Sequence, residues 1–498
     1  LYGWQYNPIY QSGTLVVGLM VVLVVTGLYL TVFYRLAAPY ESIVRLQQQV
    51  LLGRWIRALH RYAADAALVF AVVHALRVLL QNRSWGPRAL AWVSGVVLLG
   101  LILVCGWTGY VMVWDIQGQV LAMGGARLFD TVPIFSEPIS RTFVGERALP
   151  SAFFFLNLFA HIALPVGLLL VLWVHVSRVA RPVLLPPRAL RNGGLLLLFV
   201  LSVVWPAALG AKANLLALPE RAPYDIFYSW WLPLANALSP TAVWLSMLLT
   251  GALLMLVPVI TRPRKQVRPQ PSVVDERLCT GCEQCYHDCP YEAITMLARA
   301  DGRETLVAHV NSDLCTSCGI CAGSCAPMGV GPPDRTGRDQ LRAVKSFVAA
   351  RRPTGQDVII IACERGAGAL TSDGQLEGCR VLPVSCGGNL HTSVVEYLIR
   401  AGAGGVLIAA CPPRDCWNRE GTIWLEQRLY HDREAELQAR VDRRRIELVY
   451  ASALERGALR AALEALRSRI ALIAATAAED HIDLTTLCEP PSPAEVSG

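Results

Sequence analysis

The sequence predicts a multidomain chain. An all-α transmembrane bundle of about six spans comes first, then a small α+β domain, then a small α/β domain built on a parallel sheet. Three observations carry this expectation. Apolar runs long enough to cross a bilayer fill residues 1–260 and then stop. Cysteines follow in two copies of one tight spacing. Beyond residue 356, short apolar strands alternate with helical runs, as they do in parallel sheets. The 498 residues are 54% hydrophobic and only 17% charged, too apolar for one soluble domain. The net charge of +7 is modest and falls largely on loop arginines beside the apolar runs, which suits a membrane surface and argues against a nucleic-acid partner. Of the 15 cysteines only Cys105 lies in the apolar half, and the others follow residue 278 in CxxC-type clusters. That usage fits metal sites in a reducing compartment better than disulfides. No cleavable signal peptide is evident, and with Leu1 in place of a methionine a few residues are expected to precede the chain.

The expected spans are 11–34, 59–80, 90–113, 153–178, 193–210 and 241–260. Two of them carry histidines at one interval: His60 and His74 in the second, His161 and His175 in the fourth. Fourteen residues make about four helical turns, a rise of roughly 21 Å, so each pair lies on one helix face about 40° apart. Two such helices side by side offer two stacked histidine pairs, each able to grip a haem iron from both sides. Glycines repeat the same interval, Gly13 with Gly27 in the first span and Gly95 with Gly109 in the third. Glycine leaves room where a bulky group must approach the backbone.

Residues 1–180 resemble the N-terminal four-helix, di-haem domain of cytochrome b from quinol-oxidising complexes. The residues that carry the resemblance are Gly13/Gly27, Arg57-x-x-His60, His74-x-x-Arg77, Gly95/Gly109, Gly109-Tyr110-Val111 and His161/His175. The resemblance implies two haem b groups, one between His60 and His161 and one between His74 and His175. It implies that Arg57 and Arg77 pair with haem propionates, a charge-assisted contact suited to the membrane. It also leaves room for a homodimer through the haem domain. Residues 181–260 add two further spans and resemble the family only weakly.

Charge sets the expected orientation. Arg77, Arg83 and Arg88 follow the second span; Arg178, Arg181, Arg188 and Arg191 the fourth; Arg262, Arg264, Lys265 and Arg268 the sixth. The opposite loops hold Glu41, Asp115, Asp130, Glu137, Glu146, Glu220 and Asp225. The positive-inside rule then places residues 261–498 in the cytoplasm of a prokaryote, below its inner membrane, with the His74/His175 haem on that side. The family's Pro-Glu-Trp-Tyr quinol motif is absent; Pro223-Tyr224-Asp225-Ile226-Phe227 stands at a comparable place. Asp225 and Asp115 are candidate acids for moving quinone protons, and Asp65, just inside the second span, belongs to a proton path or a wet boundary.

After a linker at 261–277, residues 278–330 read Cys279-x2-Cys282-x2-Cys285-x3-Cys289-Pro290 and then Cys315-x2-Cys318-x2-Cys321-x3-Cys325. This is the bacterial pattern for two [4Fe–4S] clusters, in which each run lends its fourth cysteine to the other cluster. One set is Cys279, Cys282, Cys285 and Cys325; the other is Cys315, Cys318, Cys321 and Cys289. Zinc sites more often show two separated CxxC pairs. The segment resembles a two-cluster ferredoxin.

Residues 331–355 read as a polar, basic linker. In 356–475 the expected strands are Asp357–Cys363, Arg380–Cys386, Gly405–Cys411 and Ile446–Ala451, with helices at Ser393–Arg400 and Leu454–Leu472. Cys363, Cys386 and Cys411 end strands, and Cys416 follows closely. Four thiols at the carboxyl ends of parallel strands suit one [2Fe–2S] cluster. The segment resembles the delta subunit of methyl-viologen-reducing hydrogenase, through Val384-Ser385-Cys386-Gly387, Gly402-Ala403-Gly404-Gly405-Val406 and Cys411-x4-Cys416. It departs from that family at Cys363-Glu-Arg-Gly366, which leaves Cys379 as an alternative ligand. Residues 476–498, with Cys488, read as a flexible tail.

No Gly-rich dinucleotide loop stands at a strand–helix junction, so no bound nicotinamide or flavin is expected in this chain. The expected function is a membrane-anchored electron relay. It would join a soluble flavin or iron–sulfur dehydrogenase subunit to the quinone pool, with quinone as diffusible substrate and the substrate chemistry in another subunit. Two alternatives stand beside it: quinol oxidation driving electrons backwards to a low-potential cytoplasmic acceptor, and a redox sensor or scaffold without quinone turnover.

Overall fold

The computed structural model describes residues 6–133, 137–143, 149–180, 184–217, 225–263, 269–370, 375–431, 433–452 and 455–486. Pro223, Tyr224, Arg181, Arg264, Lys265, Arg268, Glu146, Glu220 and Cys488 lie outside the described residues. The chain forms two compact units, residues 1–266 and 267–498.

The first unit is all helical: α1 Ser12–Phe33, α2 Pro39–Gln48, α3 Gly53–Leu80, α4 Ala89–Val113, α5 Ile116–Phe129, α6 Ser151–Val174, α7 Arg188–Val204, α8 Leu232–Ala237 and α9 Pro240–Ile260. Among the described residues five helices are long and apolar enough to cross a membrane, namely α1, α3, α4 with its preceding turn, α6 and α9. The span expected at 193–210 differs. Helix α7 starts at Arg188 and stops at Val204, a length of 17 residues, just before Trp205-Pro206. Proline biases its predecessor away from helix, and α7 ends there. Outward-facing leucines and valines such as Leu28, Val32, Leu170 and Leu249 stay exposed, as lipid-facing residues do. The interior is built where helices come close: Ala58, Ala63 and Ala67 of α3 are fully buried, and Tyr228, Trp231 and Leu232 pack into the same core.

The second unit opens with a two-run cysteine fold. Strand β1 (Val273–Val274) precedes α10 (Gln284–His287), β2 (Ile294–Leu297), β3 (Val307–Val310), α11 (Ile320–Ser324) and β4 (Val330–Gly331). β1 pairs with β4, and β2 with β3, both antiparallel. The expected linker at 261–277 therefore ends early, since Val273 and Val274 are strand.

The expected linker at 331–355 also contains structure. Residues Gly337–Ala350 form helix α12, opened by a capping box between Thr336 and Asp339. The polar residues that suggested a linker are its outer face. Val344 and Val348 are buried against the next domain.

That domain contains β5 (Val358–Cys363), β6 (Gln375–Leu376), β7 (Cys379–Val384), α13 (Thr392–Arg400), β8 (Gly405–Ala410), α14 (Gly421–Tyr430), β9 (Ile446–Tyr450) and α15 (Arg456–Thr486). The sheet order is β6-β7-β5-β8-β9, and every pair but β6–β7 is parallel. Every residue of β5 and β8 is buried, the pattern of parallel strands covered on both faces. Helices α12, α13 and α14 cover one face, and Leu459, Leu463, Leu466 and Ile470 of α15 cover the other. Helix α15 continues through the start of the expected tail to Thr486.

Thr336→Ala removes the cap of α12 and should cost about 1 kcal/mol. Val344→Asp, which places an unpaired charge in the core, should cost well over that. Both should lower the thermal unfolding midpoint of the full-length protein in detergent, the second by far the more.

Candidate metal centres

Helices α1 and α3 run antiparallel, as do α4 and α6, and each glycine of the repeat faces one histidine. A Cβ on Gly13 would stand 2.9 Å from the His74 ring and one on Gly27 3.4 Å from His60. On Gly109 it would stand 3.0 Å from His161 and on Gly95 3.8 Å from His175. The glycines expected to make room for a bulky group thus make room first for the imidazoles.

A hydroxyl precedes every one of these glycines, and the sequence reading missed it. Thr26 Oγ1 lies 2.8 Å from His60 Nδ1, Thr108 Oγ1 2.9 Å from His161 Nδ1, and Ser94 Oγ 2.8 Å from His175 Nδ1. Each hydroxyl also bonds a carbonyl of its own helix: Thr26 to Val22 at 2.7 Å, Thr108 to Cys105 at 2.9 Å, Ser94 to Leu90 at 2.7 Å. A hydroxyl has one hydrogen, and the carbonyl can only accept it. The imidazole Nδ1 must therefore carry its own proton and donate it. That fixes the tautomer and leaves Nε2 with its lone pair free to bind a metal. Ser12 occupies the same position before Gly13 and bonds the Ile9 carbonyl at 2.8 Å.

The His60 and His161 ring centroids are 6.4 Å apart. Two metal–imidazole bonds of about 2 Å each, plus the ring radii, span about 6 Å. The donor set fits a bis-imidazole iron. After α6 the chain passes into a π-helical turn at His175–Ala180, a departure often found at functional sites.

Three expected residues have partners within the protein. Arg57 donates to the carbonyls of Ala207 at 2.8 Å and Ala208 at 3.1 Å, so its guanidinium ties down the chain beyond α7. Arg77, buried, donates to the Tyr10 carbonyl at 3.0 Å. Asp115, expected as a candidate quinone-site acid, caps a helix: its oxygens accept from Gly118 N–H at 3.0 Å and Gly210 N–H at 3.1 Å.

Asp225 keeps a more suggestive setting. One oxygen accepts Phe227 N–H at 2.6 Å; the other accepts Arg61 Nη2 at 2.5 Å. Arg61 Nε also bonds Asp65 at 3.0 Å, and its guanidinium lies over the Tyr110 ring at 4.2 Å. One guanidinium thus bridges two carboxylates, one residue along from His60. Neither Arg61 nor this bridge could be read from spacing, because Asp225 is 164 residues away.

In the second unit, Cys279, Cys282, Cys285 and Cys325 line one cavity together with Met296 and Val330. Cys289, Cys315, Cys318 and Cys321 form a second group of mutual neighbours. The exchange of the fourth cysteine between runs is therefore present in the fold. Burial, then neighbouring thiols, push the Cys318 thiol well above its usual range. Burial likewise pushes Cys321 up to about 12, and Ser272 opposes the shift. Burial thus disfavours the free thiolates, and a bound metal cluster would supply the positive charge that stabilises them. Ser272 N–H on Cys315, Ala293 N–H on Cys289 and Gly329 N–H on Cys325, at 3.2–3.3 Å, donate to the sulfurs.

The third group sits where the parallel strands end. Cys363 and Cys411 sulfurs are 3.7 Å apart. Cys386 contacts Cys416, and that contact, then burial, raises its thiol well above the usual range. Two thiol pairs, one per iron, are the arrangement a two-iron cluster needs. Cys379, the alternative ligand, is elsewhere: it opens β7 and accepts from Arg467 at 3.2 Å. Among the described residues no three His, Cys, Asp or Glu side chains converge on a single ion.

Comparisons with known proteins follow this layout. Residues 4–181 match cytochrome b. The matching family model is cytochrome b/b6/petB. Residues 278–329 match the 4Fe-4S dicluster domain, and residues 358–473 match the delta subunit of methyl-viologen-reducing hydrogenase. The menaquinol:cytochrome c reductase cytochrome b subunit of Geobacillus thermodenitrificans is 27% identical over 180 residues, covering 35% of this chain and 79% of that protein. The Bacillus subtilis protein of the same name is 29% identical over 140 residues, covering 28% and 62%. Cytochrome b6 of Porphyra purpurea is 33% identical over 135 residues, covering 27% and 63%. The chain thus spans less than two thirds of the latter two relatives. A solved chain of a hyperthermophilic respiratory complex III is 16% identical with a TM-score of 0.41, covering 51% of this chain and 75% of that one, too distant to bear on the argument. The chain is a multi-pass membrane protein of electron transport. Its cytochrome b region implies haem b, and its dicluster region implies iron–sulfur clusters.

Thr108→Val keeps the shape but deletes the acceptor of His161 Nδ1–H. The midpoint potential of a haem held by His161 would rise by about 60 mV, a tenfold change in a one-electron equilibrium. Redox titration of the haem absorbance checks this.

Proposed function

We propose that this chain relays electrons between a docked cytoplasmic flavin or iron–sulfur dehydrogenase and the membrane quinone pool. The observation that carries the reading is the co-occurrence, in one chain, of four imidazoles facing helix glycines, three of them with fixed tautomers, and three groups of four thiols. His60 with His161, and His74 with His175, would hold two haem b groups. Cys279/Cys282/Cys285/Cys325 and Cys289/Cys315/Cys318/Cys321 would hold two [4Fe–4S] clusters, and Cys363/Cys386/Cys411/Cys416 one [2Fe–2S] cluster. When bound, these groups exchange single electrons without breaking bonds. The chain's own residues set their spacing and potentials through ligand identity, burial and hydrogen bonds to the ligands. Arg77, three residues past His74, would meet a haem propionate.

Quinone chemistry also moves protons, and Asp225 is the residue placed to hold one. With Arg61 shared between Asp65 and Asp225, the trio carries an excess negative charge when both acids are ionised. It can accept a proton without leaving a bare buried ion. The loop arginines around α3, α6 and α9 favour a cytoplasmic position for residues 267–498.

Asp225→Asn should slow quinol-analogue oxidation or quinone reduction by the purified complex by on the order of 100-fold, with haem spectra unchanged. An unaltered rate would remove Asp225 from the proton route. His74→Ala should delete one haem and leave the other spectrally intact; a spectrum retaining both would refute the pairing.

A further inference from the structure

Two ferredoxin-type thiol sets share the second unit with the strand-end thiols, and hydrogen bonds within that unit distinguish which set faces them. Arg335 donates Nη1 to Ser385 Oγ at 3.1 Å and Nη2 to the Ser317 carbonyl at 3.0 Å. Ser385 directly precedes Cys386, and Ser317 directly precedes Cys318. Asn389 Nδ2 donates to the Gly319 carbonyl at 3.0 Å, joining the turn after Cys386 to the residue after Cys318. Arg419, three residues past Cys416, donates to the Pro290 carbonyl at 2.7 Å, immediately after Cys289, and stacks over Tyr291 at 4.4 Å. Gly319 has a φ of +78° and no room for a Cβ beside Asn389, so this approach is built for glycine. Contacts to the other set start further from the strand-end thiols: His391 Nε2 lies 3.2 Å from the Cys325 carbonyl, Arg428 donates to Ser324 Oγ at 3.0 Å, and Arg433 donates to Gln284 Oε1 at 2.5 Å. They begin five residues past Cys386 and twelve and seventeen past Cys416, whereas Ser385, Asn389 and Arg419 each lie within three residues of a strand-end thiol.

We propose that the Cys289/Cys315/Cys318/Cys321 set is the direct electron-exchange neighbour of the Cys363/Cys386/Cys411/Cys416 site, with Arg335 and Asn389 as the positioning residues of that junction. This rests on the cluster assignments proposed above. One centre loses one electron and the other gains it; no bond forms or breaks and no proton moves. The electron is supplied by the docked dehydrogenase, and Cys279/Cys282/Cys285/Cys325 stands further along the relay.

The test uses the full chain in detergent, reduced with sodium dithionite and followed by EPR and redox titration. Arg335→Ala removes a positive charge shared by the two neighbouring sites. The midpoint potentials of both should become more negative, that of the Cys279 set should stay put, and Arg335→Lys should restore the values. A shift confined to the Cys279 set, or none anywhere, overturns the proposal. In a second measurement, the reduced [2Fe–2S] signal should lose its spin-coupled fast relaxation in Cys318→Ser and keep it in Cys282→Ser; the reverse pattern overturns the proposal. A full chain with no [2Fe–2S] signal at all would defeat the four-thiol assignment itself, an outcome distinct from either reversal.

Discussion

The membrane unit depends on one contact repeated along its length: an imidazole pressed against a glycine of the neighbouring helix, with Nδ1 of His60, His161 and His175 held by the hydroxyl one residue before that glycine. Helices in lipid gain nothing from hiding apolar surface from each other, so close packing and hydrogen bonds must hold them together. Glycine permits the approach and serine or threonine supplies the bond. The same contact that joins α1 to α3 and α4 to α6 also turns Nε2 toward the space between the pairs. Packing and ligand orientation are here one interaction, and a mutation cannot weaken the first without disturbing the second.

The soluble unit follows a different logic with the same result. Its parallel strands bring Cys363, Cys386 and Cys411 to one edge because all three strands point the same way. The turn after Cys386 then meets the ferredoxin-like segment through Asn389, and Arg428 reinforces the join. Arg428 is 1% exposed and donates to the Gly388 carbonyl and to Ser324. A buried guanidinium with such partners is costly to dislodge, which makes the two cysteine-bearing parts a fixed pair rather than beads on a string.

Much of this was legible in the sequence because it rests on intervals. The fourteen-residue spacing of His60/His74, His161/His175 and the glycines, and the CxxC runs, are local patterns that survive without a structure. The hydroxyl before each glycine was equally visible and went unread, since its meaning depends on a partner helix. Arg335, Asn389 and the bond from Arg61 to Asp225 could not have been found this way, because the partners are distant in sequence. The capping role of Asp115 was not legible either, because one of its backbone donors, Gly210, is 95 residues away. The segment 331–355 misled because an amphipathic helix with a polar outer face resembles a linker in composition.

The trade of Cys289 and Cys325 between the two thiol sets has a consequence for biogenesis. Neither run of the sequence closes a site alone. As the chain leaves the ribosome, Cys279, Cys282 and Cys285 emerge without their fourth partner and wait for the second run to fold across them. Maturation of the two sites is thereby tied to one late event, and an interrupted chain would present naked thiols rather than a half-finished wire.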